Sequence, residues 1–150
     1  MRAGRVVRMS VGMLAIAAVL AFILTSCPSN RDGMPGQLST AKEETQSAAR
    51  SAALALQMWS QRASTRNLTS VQLADCRDQV VKAYRGIATL EAEDPVDLGR
   101  QLMLTRAMTD VIGTLNDANA AVRALPGQPD PRVLGQRLAD DADALERDYR

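Results

Sequence analysis

Apolar positions divide the chain into regions of different period. Residues 11–24 (VGMLAIAAVLAFIL) form an unbroken apolar run of 14 residues. Residues 28–38 (PSNRDGMPGQL) show no period and hold Pro, Gly, Ser and Asn, which predicts a flexible tether. From residue 39 or 40 onward the apolar residues recur three or four apart, the period of an amphipathic helix. A first helix is predicted from Thr40, with Thr40 and Glu43 as a capping box. Its stripe of Ala41, Ala48, Ala52, Ala55, Leu56, Trp59 and Ala63 is mostly Ala, which lets a neighbouring helix come close. Residues 64–68 read as a polar connection. A second helix is predicted from Thr69 or Ser70, with Leu73, Cys76, Val80, Ala83, Ile87 and Leu90 spaced 3,4,3,4,3 and Tyr84 beside them. Residues 91–93 end it.

Asp94-Pro95 and Asp130-Pro131 each predict a helix start. The Asp side chain accepts from free amides, and the Pro presets φ for the first turn. Leu104, Met108, Val111, Leu115, Ala118, Val122 and Leu125 line the third helix, which Pro126-Gly127 closes. Leu134, Leu138, Ala142, Leu145 and Tyr149 line the fourth, which carries the thinnest apolar stripe and is the element most prone to detach. The two starts echo each other 36 residues apart: Asp94, Pro95, Leu98, Gly99 and Leu102 match Asp130, Pro131, Leu134, Gly135 and Leu138. The echo fades after Leu138, so it reads as two similar helix starts. A glycine inside a helix costs about 1 kcal/mol, so Gly99 and Gly135 predict close helix approach or a kink. Strand signals are almost absent. With short connections, sequential helices become antiparallel neighbours. The expected fold is all-α: an antiparallel up-down bundle of four helices over residues 39–150.

The head of the chain adds an address. Arg2, Arg5 and Arg8 precede the apolar run, and no acid occurs before Asp32. A basic head, a short apolar core and a small-residue exit make a secretory signal. A bilayer core takes roughly 20 apolar residues to span, so this run is short for a permanent helix. An uncleaved anchor beginning at Met9 is the alternative; under either reading the three Arg stay in the cytoplasm and everything after Asn30 is exported. Leu24-Thr25-Ser26-Cys27 resembles the lipobox of bacterial lipoproteins: aliphatic, small, small, then Cys. The resemblance covers residues 1–27. It implies that the Cys27 thiol receives a diacylglycerol, that residues 1–26 are removed as a lipoprotein signal peptide, and that residues 27–38 tether the bundle to the membrane. The expected location is the extracytoplasmic face of a cell membrane.

Composition narrows the chemistry. The chain has 150 residues with no His, two Cys, 18 Lys+Arg and 17 Asp+Glu. Without His there is no Ser-His-Asp or Cys-His nucleophile and no His-ligated zinc. Loss of residues 1–26 removes three Arg, leaving 15 basic and 17 acidic groups, a net of −2. That balance disfavours nucleic acid, which needs a basic face. Cys76 lies on the apolar seam, where a free Cys acts as a small hydrophobe. Met58, Met103 and Met108 sit among Leu and Val at helical spacing and read as packing. Asp140, Asp141, Asp143, Glu146 and Asp148 interleave with Arg137, Arg147 and Arg150 and read as a solvated, ion-paired face.

No catalytic, cofactor or metal residue is expected; the one site residue is Cys27. The expected function is a non-catalytic envelope module. Its partners are the membrane, through acyl chains on Cys27, and either another envelope protein or further copies of itself. The alternative is a carrier that holds a lipid or other apolar ligand between its helices.

Overall fold

A computed structural model describes residues 33–149 of the chain. The residues read as a signal peptide and lipobox, Cys27 among them, lie outside the described residues. Four helices follow one another: α1 (Met34–Ser60), α2 (Arg66–Ala88), α3 (Pro95–Val122) and α4 (Pro131–Asp148). α1 packs on α4 and α2, α2 on α3, and α3 on α4, in a closed ring of neighbours. This is the expected all-α up-down bundle. Of the two diagonals, α1 and α3 approach each other, whereas α2 and α4 do not. The α1 sequence accounts for this: Ala41, Ala48, Ala49, Ala52 and Ala55 are buried with only Leu38 and Leu56 as large apolar partners, so α1 is slim enough for α3 to close in.

The core follows the sequence seams. Leu73, Cys76, Val80, Ala83 and Ile87 are buried from α2, and Leu104, Met108, Val111, Leu115, Ala118 and Val122 from α3. α4 contributes Leu134, Leu138, Ala142 and Leu145. Its stripe is thin, yet α4 is the most extensively packed neighbour of α1. α4 thus packs on both α1 and α3 as the fourth helix of the bundle. Ala and Gly on both sides of the α1–α4 seam bring the two backbones together. By contrast Ala63 and Leu125, placed on the stripes by spacing, lie past the helix ends and are exposed.

The helix starts at Asp94 and Asp130 are as expected. Asp94 Oδ1 accepts from the Val96 amide at 2.8 Å, and Asp130 Oδ1 from the Arg132 amide at 2.7 Å. The other two starts differ. α1 begins at Met34, so residues 34–38 of the expected tether are helical and Leu38 is fully buried. Pro35 suits the first turn, where its missing N–H has no intrahelical partner, and Gly33 precedes it at φ +85°. Thr40 is thus no N-cap; its hydroxyl donates to the Gly36 carbonyl at 3.0 Å. α2 begins at Arg66, capped by Thr65, whose Oγ1 accepts from the Leu68 amide at 3.3 Å. Thr69 is instead buried, its hydroxyl 2.9 Å from that of Ser64.

α1 and α3 end alike. Arg62 and Ala124 both have φ 61°. The amides of Arg62 and Ala63 reach back to the Trp59 and Met58 carbonyls, both at 2.9 Å; those of Ala124 and Leu125 reach Ala121 at 2.9 Å and Ala120 at 3.0 Å. These are Schellman closures with a non-glycine residue in the left-handed position. They turn the chain sharply enough for the next helix to run back.

Candidate functional site

Two clefts beside α4 and one buried thiol bear polar or reactive groups of interest for function. The first is a groove of 530 Å³ between the second half of α1 and the first half of α4. Its floor is Ala53, Gly135 and Ala139, and its walls include Leu54, Gln57, Gln136 and Arg132. At Gly135 the two helices come close. A Cβ there would sit 3.4 Å from Leu56 Cβ and 3.6 Å from the Ala53 carbonyl oxygen, in van der Waals contact, so a side chain larger than Ala would press the helices apart. The matching Gly99 on α3 has no atom within 4 Å of a Cβ position. Close approach thus holds at Gly135 and fails at Gly99. At the far end of the groove Arg50 spans to α4, with Nη2 at 2.7 Å from Glu146 Oε2 and 3.2 Å from Asp143 Oδ1. Hydrogen bonding to Glu146, then to Asp143, raises the Arg50 pKa further. All three side chains are more than half exposed, so the pairing holds Arg50 in place more than it stabilises the fold.

The second feature lies on the other flank of α4. A cavity of 220 Å³ between α3 and α4 is lined by Met103, Ala107, Asp110, Asp141, Ala144, Leu145 and Asp148. Asp141 Oδ2 is buried with no hydrogen-bond partner, the one such side-chain atom among the described residues. Burial pushes the Asp141 carboxyl above its ordinary range; nearby Arg137 pulls it back, and Asp110 and Asp140 push it up again. The acidic run of α4 is therefore divided. Asp143 and Glu146 form a solvated, ion-paired face as expected, but their partner is Arg50 of α1 rather than an Arg of the same run, while Asp141 turns its Oδ2 inward without a hydrogen-bond partner. No group of three or more Cys, Asp or Glu among the described residues is arranged to hold a metal ion.

The third feature is Cys76. It is free and 7% exposed, on the α2 seam as expected. Burial, and secondarily Asp75, raises its thiol pKa, which keeps it protonated and unreactive.

Buried amides knit the bundle around these features. Gln46 of α1 donates to the Ala142 carbonyl of α4 at 3.1 Å. Gln101 of α3 donates to the carbonyls of Ile87 and Leu90, at 2.6 and 2.9 Å, where α2 ends. Ser70 of α2 donates to Asn119 Oδ1 of α3 at 2.7 Å, and Asn119 Nδ2 returns a bond to the Ser70 carbonyl at 3.3 Å.

Of the sequence-derived sites, Cys27 lies outside the described residues. The α1–α4 groove was not readable as a site, because spacing does not reveal which small residues oppose each other. Its one sequence signal is Gly135 inside a helix. No family model, no curated protein and no solved structure matches this chain.

Proposed function

We propose that the chain is a bacterial lipoprotein, held at the extracytoplasmic face of a membrane by acyl chains on Cys27, whose bundle acts as a non-catalytic interaction module. The supporting observation is one order along one chain. A basic head, a 14-residue apolar run and Leu24-Thr25-Ser26-Cys27 lead, after six intervening residues, into a helix that starts at Met34. Attachment is assigned to Cys27 because the lipobox resemblance implies its acylation; among the described residues no helix is long and apolar enough to cross a membrane. Each buried acyl CH₂ contributes about 0.8 kcal/mol, and two chains together anchor stably where one binds only reversibly.

The mechanism is confinement. A bundle kept in a thin layer meets neighbouring envelope proteins at a high effective concentration, so modest surfaces suffice for binding. The α1–α4 groove, with its small-residue floor and amide walls, is the surface assigned to such a partner. The net charge of −2 in the mature chain fits a protein partner rather than nucleic acid.

The test is metabolic labelling of the full chain in a bacterial host with a fatty-acid probe, followed by mass spectrometry. The expected product begins at an acylated Cys27, and Cys27→Ala yields an unlabelled chain. A native product that keeps Met1, or that carries a bare Cys27 thiol, overturns the anchor.

A further inference from the structure

Nine large apolar side chains of the bundle are exposed, and three of them, Val96, Leu98 and Leu102, fall within the first two turns of α3. Their exposure is 57%, 45% and 51%. The sequence echo shows that this is a matter of placement. Leu134 and Leu138 of α4, the counterparts of Leu98 and Leu102, are 2% and 0% exposed. In α3 the inward position is taken by Gln101, which satisfies the last carbonyls of α2. That turns its neighbours Leu98 and Leu102 outward.

The same end of the bundle is where the chain arrives from Cys27. The first turns of α1 and α3 lie together with the last turn of α4: Lys42 Nζ stands 5.1 Å from the Tyr149 ring centre, and the Arg100 guanidinium 5.8 Å. Six residues separate Cys27 from Met34, a reach of about 25 Å when fully extended. The 28 residues of α3 run about 42 Å. A bundle on so short a tether holds this end next to the surface in which Cys27 is anchored.

We infer that the first two turns of α3 rest on the lipid surface, with Leu98 and Leu102, which share one face of the helix, at the headgroup–acyl boundary. The inference rests on the lipoprotein reading above. The charges at this end select the surface. Glu91, Glu93 and Asp94 are exposed in the turn between α2 and α3, and Asp97 lies 3.5 Å from Arg100. An acidic turn is repelled by anionic lipid, so the fitting partner is a zwitterionic or neutral headgroup layer. Apolar contact supplies the attraction, and the tether removes the entropic cost of bringing the two together. Docking fixes which way the bundle faces: Gln57 and Arg132 of the groove point to the membrane-distal half, open to partners.

The test uses tryptophan as a depth probe in the acylated protein, reconstituted in phosphatidylcholine vesicles with quencher groups on the lipid chains. Leu98→Trp in a Trp59→Phe background places a single Trp on α3. Leu68→Trp in the same background is the matched control, since Leu68 is 53% exposed at the opposite end. The expected result is several-fold stronger quenching at position 98 than at 68, reduced when phosphatidylglycerol replaces part of the phosphatidylcholine. Equal quenching at the two positions overturns the docking, as does docking that strengthens with anionic lipid. If Cys27 proves unacylated, the same variants are coupled through its thiol to a maleimide-headgroup lipid. Strong quenching at 98 then sustains the surface while the natural anchor fails, and weak quenching sinks both.

Discussion

Asp141 shows how one buried, unpartnered polar atom makes the stability of a bundle depend on pH, with the cost borne when the carboxyl is charged. Its Oδ2 is buried without a partner, and burial raises its pKa above that of an ordinary carboxyl. From α3 it faces Asp110, and on its own helix Arg137 and Asp140, with Asp148 on the same cavity. The folded state thus holds the proton more tightly than the unfolded chain does. Stability then rises as pH falls through the folded pKa and levels off below the unfolded one. Asp141→Asn keeps the shape and removes the charge. The expected outcome is a variant more stable than the parent at neutral pH, with the gap closing as pH falls toward the ordinary carboxylate range. Thermal melts of both proteins across that range check it; a gap that does not change with pH would mean that the buried charge does not set the stability of this seam.

At the scale of the element, the two echoed helix starts separate what sequence specifies from what only packing decides. Asp94-Pro95 and Asp130-Pro131 make the same N-terminal cap because a cap depends on residues two or three apart. The buried seams of α2 and α3 were legible for a similar reason, since spacing alone puts Leu73, Cys76 and Val80 on one face. What lies across the seam was not legible. Leu98 and Leu134 occupy equivalent sequence positions yet lie outside and inside, because Gln101 claims the inward position in α3. The start of α1 was hidden because Gly33, Pro35 and Gly36 are loop residues by composition, while Leu38 is held by tertiary contact. The glycines give the sharpest contrast. Gly99 stands in open space, so Gly99→Ala should stabilise by about 1 kcal/mol through helix propensity alone. Gly135 has Leu56 and the Ala53 carbonyl beside it, so Gly135→Val should cost about 1–3 kcal/mol by overpacking. Urea midpoints of the two variants decide this: the same sign of change at both sites would deny the tight α1–α4 approach on which the groove depends.

For the molecule as a whole, the question is whether α4 is an appendage or part of the fold. Its thin stripe suggests the first, and its contacts demand the second. α1 exposes mostly Ala to the core, and Ala gives little burial of its own. The large apolar groups that complete that side are Leu134, Leu138 and Leu145 of α4, all 2% exposed or less. Full burial of a Leu is worth about 1.5–3 kcal/mol, so three of them supply an amount comparable with the 5–15 kcal/mol that holds an ordinary domain together. The Gln46 bond to the Ala142 carbonyl would be lost with them. A chain ended after Leu125 should therefore fail to fold cooperatively. Circular dichroism should show it with reduced helix content and a broad, shallow urea response, against a single sharp transition for the full bundle. A shortened chain that still unfolds in one steep step would make α1, α2 and α3 the true core, and would leave the α1–α4 groove as the edge of a detachable arm.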